Sequence, residues 1–399
     1  MSWSIVSAML REAANTVAPA IVLHVRYEGE IVFEEAVGCW DPETPTGSAP
    51  LTPDALFDLA SVTKLFTATA FMRLVEAGQV ALDAPVVDII PEFDGERPIG
   101  EAEDPLTKEP LPPDPQFAGQ AVRAEQVTFR HLLTHTSGLA AWRSLYRQIG
   151  PVPPAPWEAP SSPGVRERIR RGVEAICRFP FLYPPGERVV YSDLGLILLG
   201  EAISRLTRQR LDHAIRELVL APLGLSQAGF RPLDDPQRAD VSRYVPTEHC
   251  AWRQRRLRGE VHDENAAGLG GVAGHAGLFA TAAEVAALGQ SYLGGDSEGT
   301  PRLLQPETVR EMTREHVRYQ EISRGLGWLR RAESGASCGS RFGPESFGHT
   351  GYTGTSLWVD PQRALVVSLM TNRVYHGRNP EAITRLRPAV HDAVVEAIA

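Results

Sequence analysis

Two apolar runs, Ala20–Tyr27 and Ile31–Val37, stand on either side of Glu28-Gly29-Glu30. Runs of this length, rich in β-branched residues and joined by a short polar turn with glycine, predict a β-hairpin. Before them, Trp3, Ile5, Val6, Met9 and Leu10 recur at helical spacing around Arg11 and Glu12. That pattern predicts an amphipathic helix over residues 1–17. Residues 61–77 form a second predicted helix, ended by Gly78, with Ser61, Lys64, Leu65, Ala68, Met72 and Val75 along its buried face. Further helices are expected over Leu194–Leu206 and Ala282–Leu293, the second opened by the capping box Thr281-Ala282-Ala283-Glu284. Near the C-terminus, Thr355–Val359 and Ala364–Met370 read as strands around Asp360-Pro361, and a last helix starts at about Pro380.

Strands therefore gather at both ends of the chain and helices in the middle. The expected fold class is α+β, an antiparallel sheet built from both termini and flanked by helices. One domain is expected over residues 1–399, with a sheet region at about 1–60 plus 320–399 and a mainly helical region at about 61–319. The cleft between the two is the natural site. Two proline-rich stretches, Glu101–Gln116 and Gly150–Gly164, read as surface loops or lid insertions, since helical patterning resumes on both sides.

Composition narrows the function. A hydrophobic content of 43% with 22% charged residues is that of a soluble globular protein, and a net charge of −9 disfavours nucleic acid as a partner. The four cysteines lie far apart, which gives neither a zinc site nor a disulfide framework. No run of 18 apolar residues suggests a membrane span. The N-terminus has no basic region leading into an apolar run and cleavage site, so the expectation is a cytoplasmic protein, or one already trimmed.

The most informative single feature is lysine usage. Of 40 basic residues only Lys64 and Lys108 are lysine; the other 38 are arginine. Lysine can lose its proton when buried and arginine cannot. Lys64 stands three residues after Ser61, one helical turn away, where it could activate that serine as a nucleophile. A random Ser-x-x-Lys arises on the order of once in ten such chains, so its surroundings must carry the case. Tyr191-Ser192-Asp193 lies on a turn before a helix; its plain structural reading is a core aromatic followed by an Asp193 N-cap. Gly348-His349-Thr350-Gly351-Tyr352-Thr353-Gly354 starts a strand, and its glycines let backbone approach a ligand closely.

Taken together, Ser61-Val62-Thr63-Lys64, Tyr191-Ser192-Asp193 and His349-Thr350-Gly351 resemble the three ordered motifs of the penicillin-recognising serine hydrolases. These are the class C β-lactamases, low-molecular-weight penicillin-binding proteins and their esterase and peptidase relatives. Leu132–Leu139 and the segments 259–266 and 270–279 are similar to stretches of this family, the latter two to a cell-wall branch of carboxypeptidases and amidases. The resemblance implies acyl transfer to Ser61 from a small acyl substrate, with no metal or other cofactor. Lys64 and Tyr191 would move the proton, Lys64 provided burial lowers its pKa. Backbone N–H groups of Ser61 and Tyr352 would form the oxyanion hole, and Asp193, His349, Thr350 and Gly351 would orient the substrate. Two residues depart from the pattern: Asp193 stands where the family has Asn, and His349 where it has Lys. A neutral histidine is a poorer partner for the carboxylate of a β-lactam, so weak or no β-lactamase activity is expected.

Three other readings compete. Gly335-Ala336-Ser337-Cys338-Gly339 matches the nucleophile-elbow pattern, but its polar surroundings lack the required strand and helix. His131 and His135, with His262, His275 and His349, could form a metal hydrolase centre, although no H-E-x-x-H is present. A non-catalytic binding or sensor protein on the same fold would not need the deprotonatable lysine.

Overall fold

The computed structural model of the chain describes residues 3–43, 49–104, 107–160, 163–294 and 302–399. Residues 1–2 of the predicted first helix, and residues 105–106 and 161–162 within the two proline-rich stretches, lie outside these. The hairpin forms as β1 (Ala20–Tyr27) and β2 (Glu30–Gly38), preceded by α1 (Trp3–Thr16). Ser61 precedes α2 (Thr63–Glu76), in a single 3-10 turn, Ala60–Val62. Two further predicted helices appear as α3 (Asp193–Thr207) and α4 (Ala282–Ser291), and α4 carries the expected Thr281/Glu284 capping box. The C-terminal part supplies β3 (Val317–Tyr319), β4 (Ile322–Arg324), β5 (Leu329–Arg330), β6 (Phe347–Thr350), β7 (Ser356–Asp360) and β8 (Leu365–Thr371), then α5 (Glu381–Ile398).

These strands form one eight-stranded sheet in the order β3-β4-β5-β6-β7-β8-β1-β2, antiparallel throughout. The N-terminal hairpin joins the C-terminal strands through Ile21↔Thr371 to Tyr27↔Leu365. Alternation along β1 separates the two faces. Ile21, Leu23 and Val25 pack with Val6, Leu10, Val390 and Val394 of α1 and α5. Ala20 and Val22 point into the larger core shared with α2, α3 and α4. Among the described residues no helix is long and apolar enough to cross a membrane.

Two expectations are corrected. α2 has no single apolar stripe: Thr63 to Met72 and Leu74 are all buried, while Ser61 and Val75 are only half-buried. This helix runs through the core between sheet and helical region, so every face needs packing. The cap of α3 is Ser192, whose Oγ accepts from Gly195 N at 3.3 Å, and Asp193 is the first helical residue. Asp193 is thereby left to point elsewhere.

Candidate active site

The turn that presents Ser61 is built by buried polar groups. Asp58 accepts from the backbone N of Ala60 at 2.8 Å and of His262 at 2.6 Å. Burial pushes this carboxyl's pKa up, and the two N–H donors oppose that. Ala60 adopts φ +46°, a left-handed conformation uncommon for a residue with a side chain. Two threonines beyond β6 lock the same turn. Thr353 Oγ1 donates to Asp58 O at 2.7 Å and Thr355 Oγ1 to Leu59 O at 2.9 Å. Gly351 lies so close that a Cβ would stand 2.5 Å from Leu59 O and 2.1 Å from Thr355 Oγ1. The glycine is required by that approach. None of the brackets from Asp58 is signalled by a sequence motif.

Lys64 is 1% exposed, and three oxygens surround its ammonium. Ser61 Oγ lies at 2.7 Å, the His275 carbonyl at 3.1 Å and Asp193 Oδ1 at 2.8 Å. Burial alone lowers a lysine pKa, but here the Asp193 carboxylate and Tyr191 outweigh it, and Lys64 sits above the ordinary lysine value. The condition placed on Lys64 as a base, a pKa lowered by burial, is therefore not met in the resting site. In the resting site Lys64 is an ammonium that donates to Ser61.

Tyr191 reaches the same point from the turn before α3. The Leu132–Leu139 stretch holds that turn. His135, left-handed at φ +59°, accepts from Ser192 N through Nδ1 at 3.0 Å and from Val190 N through its carbonyl at 2.9 Å. The His135 and Tyr191 rings lie 4.6 Å apart. Lys64 Nζ is 4.8 Å from the Tyr191 ring centre, and the Arg324 guanidinium is 5.1 Å away. The Tyr191 hydroxyl faces Lys64 and Ser61, is buried, and makes no hydrogen bond of regular geometry. Burial raises its pKa, and the charge of Lys64 only partly offsets this.

His349 is 5.8 Å from Tyr191, ring centre to ring centre. Burial first, then the charges of Lys64 and Arg324, push its pKa down to about 3, so the ring is neutral. Its Nδ1 lies 2.9 Å from Thr350 O; a carbonyl can only accept, so Nδ1 carries the proton and Nε2 is an acceptor. A ring in this state offers a substrate carboxylate neither charge nor donor.

Ser61, Tyr191, Asp193 and Tyr352 line one cavity of about 240 Å³. His262, Asp263 and His275 from the glycine-rich segment join them. That segment is braced as expected: Asp263 caps a helix at Ala266 N, and Asn265 bonds Tyr146 N and Arg143 O. It also does more. Asp263 accepts from His275 Nε2 at 2.9 Å, and the His275 carbonyl takes Lys64. Lys108, Trp142, Glu264 and Arg378 complete the mouth, and the sequence reading did not single them out for the site.

The competing centres do not assemble. Ser337 lies in the segment between β5 and β6 with no helix after it and does not line this cavity. His131 caps its own helix at Thr128 while His135 braces the Tyr191 turn. The metal-type grouping found among the described residues is instead Asp193, Asp263 and His275. Lys64 engages Asp193, and Asp263 and His275 engage each other.

The beta-lactamase family pattern matches residues 7–391. The chain is 29% identical over 391 residues to a Salmonella agona protein named "Putative D-alanyl-D-alanine carboxypeptidase", covering 93% of this chain and 82% of that one. An Escherichia coli K12 protein of the same name is 29% identical over 363 residues, 87% and 73% of the two chains. Among solved structures, EstCE1, a hydrolase with promiscuous acyltransferase activity, superposes with a TM-score of 0.70 at 22% identity, covering 97% and 98%. An octameric penicillin-binding protein homologue from Pyrococcus abyssi gives 0.67 at 20% identity, covering 99% and 77%. The fold, the order of the three motifs and these matches agree: the chain belongs to the beta-lactamase family.

Proposed function

We propose that this protein is a serine hydrolase that cleaves an amide or ester through an acyl-enzyme on Ser61, with a peptidoglycan-type peptide as the substrate class. The observation that carries the reading is the contact of Lys64 Nζ with Ser61 Oγ at 2.7 Å, with Ser61 lining a cavity of about 240 Å³. The two relatives named as carboxypeptidases support the peptide class.

In the proposed chemistry Ser61 Oγ attacks the carbonyl carbon and its proton passes into the Lys64–Tyr191 pair. Because Lys64 rests as an ammonium, it must first give a proton away before it can accept one. The Asp193 carboxylate at 2.8 Å takes that proton, and the neutral Tyr191 hydroxyl then relays the Ser61 proton to the Lys64 amine, gaining one proton as it gives one up. Backbone N–H groups of Ser61 and Tyr352 stabilise the oxyanion, and Thr350 orients the substrate. The leaving amine or alcohol takes the proton back, and water then hydrolyses the acyl-enzyme.

A carboxylesterase is the second reading, and the neutral state of His349 favours it, because a neutral ester asks for no cation at the end of β6. Purified protein assayed on D-alanyl-D-alanine peptides, muropeptides, p-nitrophenyl esters and nitrocefin separates these. Peptide turnover above ester turnover supports the first reading. Ester turnover alone supports the second. No turnover with an intact fold supports the binding or sensor alternative.

A further inference from the structure

Arg324 ends β4 and is 7% exposed. Among the described residues its Nε and Nη1, both sealed from solvent, make no hydrogen bond. A buried guanidinium is unfavourable unless it is paired and hydrogen-bonded. The contact it does make is with the ring of Tyr191, whose centre lies 5.1 Å away. Lys64 Nζ is 4.8 Å from the same centre. The tyrosine that faces Ser61 therefore has two cations against its ring.

The sheet register explains why this charge stands where it does. Arg324 pairs with Leu329, and Leu329 with Gly348, the residue before His349. Arg324 and His349 thus sit two strands apart across the sheet, and both reach Tyr191. After Lys64, Arg324 is the charge that does most to keep His349 neutral. The family carries a lysine at position 349; here the positive charge stands on β4 instead. The other titratable groups against Tyr191 do not replace it. His135, its ring 4.6 Å from that of Tyr191, is kept neutral by burial. The Asp193 carboxylate, two positions along the same turn, holds Lys64.

We propose that Arg324 is a positioning residue for acyl transfer, a second cation that acts through Tyr191 by stabilising negative charge on the Tyr191 oxygen during the proton relay. The proposal rests on the acyl-enzyme reading of Ser61. In that relay Tyr191 gives one proton to the Lys64 amine. It takes one from Ser61 Oγ as that oxygen bonds to the substrate's carbonyl carbon, so its own proton count is restored. The charge of Arg324 lets the loss run ahead of the gain. The negative charge this leaves on the Tyr191 oxygen draws the Ser61 proton at the moment of attack.

The test measures the rate of Ser61 labelling by a fluorophosphonate and kcat on the neutral ester p-nitrophenyl acetate. Wild type is compared with Arg324→Met, Arg324→Lys and the double variant Arg324→Met/His349→Lys, with thermal melts of each. Arg324→Met should slow both rates by about tenfold with KM little changed. Its rise in rate with pH should move to higher pH, because Lys64 and Tyr191 then hold their protons more tightly. It should melt at the wild-type temperature or above, since an apolar side chain replaces a buried charge that lacks an ion pair. Arg324→Lys should keep most of the rate, and adding His349→Lys should restore most of what Arg324→Met loses. Wild-type rates and pH profile in Arg324→Met would overturn the proposal, and so would a melting temperature well below wild type. An Arg324→Lys or a double variant as slow as Arg324→Met would overturn it too. Ser61→Ala separates this from the reading beneath it: labelling or turnover that survives that change would sink the acyl-enzyme on Ser61, whatever Arg324 does.

Discussion

Lys64 Nζ and Asp193 Oδ1 lie 2.8 Å apart, both drawn into the wall of the site and separated by 129 positions in the chain. The family's asparagine at this position would share the lysine's hydrogen bonds without changing its charge balance. A carboxylate changes the balance and holds the ammonium. Lys64 has a folded pKa above its unfolded value, so the stability it contributes is full below about pH 10 and is lost as pH rises through the folded value.

Asp193→Asn removes the charge that holds Lys64 protonated, so burial takes over and the lysine pKa falls. If neutral Lys64 is the competent form, wild-type kcat/KM should climb with pH through the alkaline range. The variant should reach its plateau at lower pH. Breaking the pair should also cost about 3 kcal/mol if Lys64 stays charged, and less as it deprotonates. A pH–rate profile of both proteins, with thermal melts at each pH, measures this. Coincident profiles would show that Lys64 does not act in its neutral form.

Lys64→Arg should be nearly as damaging as Lys64→Ala, with kcat down by about a thousandfold. Arginine keeps the charge but cannot give up or take a proton. The larger guanidinium must also fit a fully buried space, so melting curves are needed beside the kinetics. A folded Lys64→Arg that retains most activity would reduce Lys64 to an electrostatic partner of Ser61.

Gly351→Ala should loosen the turn that presents Ser61. The new methyl would collide with Leu59 O and Thr355 Oγ1, and overpacking of this kind costs about 1–3 kcal/mol. Activity should fall further than stability, because the displaced group is the backbone just before the nucleophile. Denaturant unfolding and kcat on one ester check both parts. Full activity in a destabilised variant would separate this contact from the geometry of Ser61.

Nitrocefin and penicillins should be poor substrates, acylating Ser61 slowly. His349→Lys should raise the ratio of nitrocefin to p-nitrophenyl acetate specificity constants. The gain should be modest, about threefold to tenfold, because Lys64 and Arg324 already oppose positive charge at this position. A ratio that stays level or falls in a folded variant would mean that position 349 does not meet the substrate carboxylate. An efficient wild-type nitrocefinase would show that the histidine does not exclude β-lactams.

Much of this architecture was legible because it rests on local patterns. The β1–β2 hairpin, the paired strands β7 and β8 and the capping box of α4 each carry their own signal. The three motifs were legible because their residue types fit one chemistry in one order. What escaped was set by distant contacts. Ser192 and Asp193 are both good N-cap residues, and only the fold decides that Ser192 caps while Asp193 turns to Lys64. Lysine burial suggested a lowered pKa, yet the partner that reverses the sign lies 129 positions away. Asp58 and Lys108 have no motif at all; the first is found only by following backbone N–H groups, the second only by seeing what borders the cavity.

Acyl transfer in this site requires that Ser61 becomes acylated. The most direct measurement is peptide mass spectrometry after reaction with a fluorophosphonate, with Ser61→Ala carried through the same reaction. One adduct is expected, on Ser61, and in Ser61→Ala a folded protein with no adduct and no turnover. An adduct on Ser337, or an active enzyme that carries none on Ser61, would contradict it.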